Sequence, residues 1–169
     1  MGLAAVADRI EPRVAPIQRS FDDFYRSARD DIARALALTL GDQELGAEAT
    51  DEAMTRALER WSSIHHYENL EGWVYRVGLN WARSFFRKRR REVGEIFKEI
   101  PGTDNVADVD LDRAVAKLDV RFRAVVVLRL YLDWPVDMTA EALNVRPGTV
   151  KSRMSRALAR LQEELGGER

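Results

Sequence analysis

Val145-Arg146-Pro147-Gly148-Thr149-Val150-Lys151-Ser152-Arg153-Met154-Ser155-Arg156-Ala157-Leu158-Ala159-Arg160-Leu161 reads as the turn and second helix of a helix-turn-helix. Pro147 suits the first turn of a helix, where its missing N–H leaves no bond unmade. Val150, Met154, Ala157, Leu158, Leu161 and Leu165 recur at helical spacing and predict one apolar stripe. Thr149, Arg153, Arg156 and Arg160 form a second stripe, with Lys151 and Ser152 beside its start, and no acidic residue interrupts Ala142 to Gln162. A helix with an apolar face for its own domain and a cationic face for phosphates and base edges is what a DNA major groove accepts. The competing reading is an amphipathic surface helix whose outer face is basic. Upstream, Asp137 to Asn144 is a short helical pattern, and Asn144 to Gly148 supplies turn chemistry, which favours the helix-turn-helix.

The rest of the chain bounds the function. It has 169 residues, 46% of them hydrophobic, enough for one medium domain or two small ones. With no cysteine, disulfides, thiolate zinc sites and thiol redox chemistry are excluded. Apolar runs such as Ala124 to Leu128 are far too short to cross a bilayer. Met1 to Ala7 lacks the basic start and the length of a signal peptide. A cytoplasmic protein without membrane insertion is therefore expected. The net charge of -1 conceals segregation. Arg83, Arg87, Lys88, Arg89, Arg90 and Arg91 form a basic run; Glu92, Glu95, Glu99, Asp104, Asp108, Asp110 and Asp112 follow, relieved by Lys98 alone. Separate charge blocks suggest separate surfaces for separate partners.

Periodicity predicts an all-α chain. Residues 1–20 read as a tail. Phe21, Phe24, Tyr25, Ala28, Ile32, Leu36 and Leu40 line one helix that Gly41-Asp42 ends. A second helix is predicted from about Leu45 to Trp61, with Met54, Leu58 and Trp61 inward and an acidic outer face. Ser62 to Asn69 reads as a polar loop, and a third helix runs from about Leu70 to Arg91. Residues 92–110, with Pro101-Gly102, read as an acidic flexible linker. Helices at about Leu111–Lys117, Val120–Tyr131, Asp137–Leu143 and Pro147–Leu165 then build a second unit over 111–169. Val125 to Val127 is β-prone alone but sits in the helical spacing of Phe122, Val126 and Leu130. Two small helical domains, 21–91 and 111–169, are the expected architecture.

The third helix carries a second basic face. Leu70, Val74, Val77, Trp81 and Phe85 advance on one side; Arg76, Asn80, Arg83 and Arg87 advance on another. Cations with an amide along one face suit phosphate contacts and base-edge hydrogen bonds. Trp73, Trp81, Phe85 and Phe86 lie among them and either stack on unpaired bases or pack the core. Core is the expectation for Trp81 and Phe85, with Trp73 open between the two. His65 and His66 lack a third ligand and read as a solvated loop rather than a metal site. The carboxylates do not cluster at catalytic or metal spacing, which argues against a nuclease.

In this order and at this length, the chain resembles bacterial sigma factors of the extracytoplasmic-function (ECF) group. The resemblance runs from Phe21 to Leu165. Gly72-Trp73-Val74-Tyr75-Arg76-Val77-Gly78-Leu79-Asn80-Trp81-Ala82-Arg83 is similar to the family's promoter-melting helix. Leu128-Arg129-Leu130-Tyr131-Leu132 and Thr149-Val150-Lys151-Ser152-Arg153 are similar to its C-terminal domain. The resemblance implies a sigma region 2-like domain over 21–91. That domain would bind the β′ subunit of core RNA polymerase through Glu48, Asp51, Glu52 and Arg56. It would engage the single-stranded minus-10 element through Trp73, Arg76, Asn80, Arg83, Arg87, His65 and Asn69. A region 4-like domain would read the duplex minus-35 element with Arg146, Thr149, Lys151, Ser152, Arg153 and Arg156. The linker would thread the polymerase channel, and its extended reach of about 70 Å spans elements two helical turns of roughly 35 Å apart. The resemblance implies polymerase core (β and β′ subunits), promoter DNA and an inhibitory anti-sigma factor as partners, with no cofactor and no catalytic chemistry. The alternative is a free-standing helix-turn-helix regulator of duplex operators.

Overall fold

The computed structural model describes residues 19–93 and 109–166, except for the side chains of 89–93 and 109. The expected tail (1–18 of it), the central part of the acidic linker (94–108) and the arginines 89–91 as side chains lie outside that description. The described residues are helical and contain no strand.

Helix α1 spans Phe21–Leu40. Ser20 caps it by accepting from the Asp23 N–H at 3.1 Å, and Gly41 ends it in the left-handed region at φ 69°. Asp42 at once caps α2 (Gln43–Glu59), its side chain accepting from the Leu45 N–H at 2.9 Å. Two residues thus turn the chain into an αα-hairpin. The hairpin packs closely because Gly46 has no side chain: a Cβ there would lie 2.5 Å from both the N and the Cα of Ala37. Phe24, Ile32, Leu36 and Leu40 of α1 bury against Ala49, Ala53, Met54 and Ala57 of α2.

The segment expected as loop from Ser62 to Asn69 begins instead inside a one-turn helix, α3 (Trp61–Ile64), which is separate from α2. Ile64 is buried, and the Trp61 ring stands edge-on to Phe21 at 5.4 Å, so side-chain packing imposes the turn where polarity predicted loop. Helix α4 (Leu70–Val93) places Leu70, Val74, Tyr75, Leu79 and Ala82 in the same core. Tyr75 is fully buried and its hydroxyl shares a 2.7 Å hydrogen bond with Thr39. Burial pushes the phenol well above its ordinary range, so it stays neutral.

The second unit comprises α5 (Val109–Ala116), α6 (Val120–Val126), a π turn (Val127–Tyr131), α7 (Val136–Leu143) and α8 (Pro147–Gly166). The helix expected to continue to Tyr131 widens at Val127, where the Leu132 N–H donates to the Val127 carbonyl. The extra residue keeps Val127 and Leu128 inward while Leu130 and Tyr131 face solvent. Pro135 sits immediately before α7 as its cap residue.

Several residues assigned inward by spacing are exposed: Tyr25 38%, Leu58 56%, Leu158 42% and Leu165 42%. Each lies at the edge of its stripe, where the partner helix no longer covers it. Trp81 and Phe85 stack on each other at 5.5 Å and, with Trp73, Val77 and Phe86, pack half-buried on the core.

The two units are packed together. Val127, Leu128 and Ala142 belong to the same apolar cluster as Phe24, Leu36 and Leu79. A buried guanidinium reinforces that seam: Arg123 donates across it to the Thr39 carbonyl (3.2 Å) and, within its own unit, to those of Ala116 (2.7 Å) and Leu118 (2.8 Å). These carbonyls end α1 and close α5, where the helix dipole favours a cation.

Candidate nucleic-acid interface

Asn69 begins the first basic face. Its Oδ1 accepts from the Gly72 N–H at 2.9 Å and so starts α4, the role short polar residues play at helix starts. Its Nδ2 donates to the Met138 carbonyl (3.0 Å) and to Glu141 Oε2 (3.1 Å), both on α7. Two turns further, Arg76 Nη1 donates to the Glu141 carbonyl at 3.4 Å. Asn69, Trp73 and Arg76 therefore line a cleft of about 750 Å³ shared with Glu141 and Asn144. Arg76, Asn80 and Arg83 line a second, of about 300 Å³, with Arg121, Asn144 and Arg153. Arg87 lies exposed beyond it and donates to Ser84 Oγ. His65 is half-buried, lines neither cleft, and its Nδ1 is 3.0 Å from the Trp61 carbonyl.

The second basic face is α8. Asn144 ends α7 in the left-handed region at φ 53°, and Pro147 opens α8, so local chemistry builds the turn as the sequence predicts. Val150, Ala157 and Leu161 anchor the helix in the second unit. Arg146, Lys151, Ser152 and Arg156 are exposed, whereas Thr149 and Arg153 are half-buried. Arg153 faces the first unit. Burial lowers its pKa, and the positive charges of Arg121 and Arg83 lower it further.

The acidic face of α2 is also assembled. Glu48, Asp51, Glu52 and Arg56 advance along its exterior. Arg29 of α1 reaches Asp51 at 2.8 Å, which raises the arginine's pKa, and Arg56 pairs with Glu52 at 2.7 Å. Such exposed pairs contribute at most about 1 kcal/mol each and leave the face open to a partner.

Sequence reasoning did not single out Arg121, Glu141 or Asn144 as cleft residues. Only packing of the second unit on α4 brings them there; Asn144 carried a turn signal and the other two carried none. Among the described residues no group of three or more His, Asp or Glu side chains is arranged to hold a metal. Nor is any described helix long and apolar enough to cross a membrane.

With this geometry in place, the likeness to known proteins is specific. Residues 108–161 match the model of the family described as sigma-70, region 4. RNA polymerase sigma-E factor of Streptomyces coelicolor is 32% identical over 153 residues, covering 86% of this chain and 85% of that protein. ECF RNA polymerase sigma factor SigM of Mycobacterium tuberculosis is 29% identical over 165 residues, covering 95% and 84% respectively. In fold, the chain is similar to the sigma factor RpoE of Bartonella quintana, solved in complex with the anti-sigma factor NepR. The TM-score is 0.74 at 24% identity, over 88% of this chain and 98% of that one.

Proposed function

The chain belongs to the ECF group of RNA polymerase sigma factors, and we propose that its two basic faces divide promoter recognition between them. The carrying observation is that each helical unit has its own basic face, cations with an amide on α4 in the first and cations with hydroxyls on α8 in the second. Residues 21–91 form the polymerase-binding and minus-10 unit; 111–169 form the minus-35 unit. Core polymerase docks on the α2 face of Glu48, Asp51, Glu52 and Arg56, and the acidic connector follows the enzyme's nucleic-acid channel. The chain supplies binding and DNA opening, works in the cytoplasm, and leaves all catalysis to the polymerase. Family membership favours this reading over a free-standing operator binder. An inhibitory protein partner of the kind bound to the Bartonella relative suits this chain as well.

In the packed arrangement Arg153 is directed at α4, and a 300 Å³ cleft does not admit a double helix. Reading two promoter elements together therefore requires the units to part. Polymerase binding, by holding each unit separately, is the step that parts them.

The direct test adds the purified chain to sigma-free bacterial core polymerase with genomic promoter fragments and maps transcript starts. Starts downstream of one shared pair of elements support the proposal. Absence of polymerase association together with tight duplex binding overturns it. Two substitutions refine the roles. Arg153→Ala is expected to cost about 1–3 kcal/mol of promoter binding and to relax specificity at one minus-35 position; an equal loss across all sequences, seen by competition binding, would reduce Arg153 to a phosphate contact. Asn80→Ala is expected to slow promoter opening, followed by permanganate reactivity of unpaired thymines, while polymerase affinity is unchanged. Weakened polymerase affinity would make Asn80 structural instead.

A further inference from the structure

We propose that the narrower cleft between α4 and the helix-turn-helix binds a small polyphosphate anion, of the size of a triphosphate or nucleoside polyphosphate, which holds the two units closed. This rests on the packing of the units and not on promoter recognition, so the two stand or fall separately.

Four guanidinium groups from three helices of two units line the cleft: Arg76 and Arg83 of α4, Arg121 of α6 and Arg153 of α8, with the amides of Asn80 and Asn144. No carboxylate lines it. Among the described residues neither Arg83 nor Arg153 has an ion-pair partner, and Arg121 pairs only with Asp119, outside the cleft lining, at 3.5 Å. Burial first, and then the neighbouring charges of Arg121 and Arg83, lower the Arg153 pKa in this cleft. Closing the units therefore gathers like charges in a partly desolvated space, a cost that an anion removes. The cleft volume of about 300 Å³ is roughly ten times the volume share of one water molecule, room for two or three phosphate groups but not for a duplex.

Phosphate is favoured over a single carboxylate by charge and shape. Guanidinium forks donate paired hydrogen bonds to tetrahedral oxyanions, and with Asp119 offsetting only Arg121, several negative charges are still needed to balance the cluster. An anion that binds only the closed form shifts the closed–open balance by about 100-fold at 100 times its dissociation constant. With Asn80, Arg83 and Arg153 engaged by it, these side chains stay inside the cleft until the anion leaves.

The test titrates inorganic tripolyphosphate into the full chain by calorimetry at about 0.1 M salt, where diffuse surface attraction is screened beyond about 10 Å. The expected result is one saturable site, weakened at least ~10-fold by Arg121→Gln and unchanged by Arg34→Gln, an exposed residue of α1 outside the cleft. Arg121 is exposed, so its replacement leaves the core intact, and Arg83→Gln provides a second variant with the same expected loss. Small-angle scattering is expected to show a narrower size distribution with tripolyphosphate present. A short single-stranded oligonucleotide separates the two phosphate sources: its affinity should not depend on Arg121. Non-saturating binding, equal binding by Arg121→Gln, or an equal loss of oligonucleotide affinity in that variant would each overturn the proposal.

Discussion

Gly46→Ala is expected to cost about 3 kcal/mol and to lower the melting temperature by roughly 6–12 °C. Alanine is the better helix former by about 1 kcal/mol, so an open site would gain stability from the change. Position 46 is not open. The new Cβ would sit 2.5 Å from the Ala37 backbone and 2.8 Å from its Cβ, and backbone cannot move aside as a flexible side chain does. The α1–α2 hairpin has to separate, and with it the shared core of Leu36, Leu40, Ala49 and Ala53. Gly148→Ala is the control, since nothing lies within 4 Å of its Cβ; it is expected to be neutral or to stabilise by about 0.5–1 kcal/mol. Thermal unfolding followed by circular dichroism distinguishes the two. Equal melting temperatures for both variants would mean that α1 and α2 do not approach this closely in solution.

Arg123→Met is expected to weaken the seam between the units by about 2 kcal/mol, since its one charge-assisted hydrogen bond across the seam, to Thr39, contributes about 1.5–3 kcal/mol. Methionine keeps much of the side-chain volume but leaves the Thr39, Ala116 and Leu118 carbonyls without their donor. Burial already lowers the arginine's pKa, yet the carbonyls and Asp119 keep it protonated at neutral pH. The radius of gyration should rise while helix content stays near that of the parent. The freed α8 should bind a minus-35 duplex without polymerase at least ~10-fold more tightly, since its Arg153 no longer faces α4. An unchanged radius would show that the apolar contacts of Val127, Leu128 and Ala142 suffice to hold the units together.

Much of the molecule was legible in the chain because its signals are local. Gly41-Asp42, Asn144 and Pro147 act within one helical turn, and all three terminate or start helices as their chemistry dictates. The apolar stripes of α1 and α4 are likewise local, and Phe24, Ile32, Leu36, Leu70 and Val74 are buried as their spacing predicts. Stripe edges failed, as at Leu58 and Leu158, because coverage there depends on where the partner helix ends. The π turn at Val127 and the short helix at Trp61 failed for a related reason: each follows from fitting side chains to a distant surface.

The basic composition of α4 and α8, the acidic exterior of α2 and the helix-turn-helix itself are consequences of residue order alone, since periodicity and capping act over a few neighbouring residues. The orientation of those faces is not. That Asn69 bonds to α7, that Arg123 ties α6 to α1, and that Arg76, Arg83, Arg121 and Arg153 meet in one cleft were decided by tertiary packing. Contacts such as that of Arg123 with Thr39, 84 positions apart, arise from buried apolar surface and hydrogen-bond satisfaction between helices, terms that no local pattern encodes.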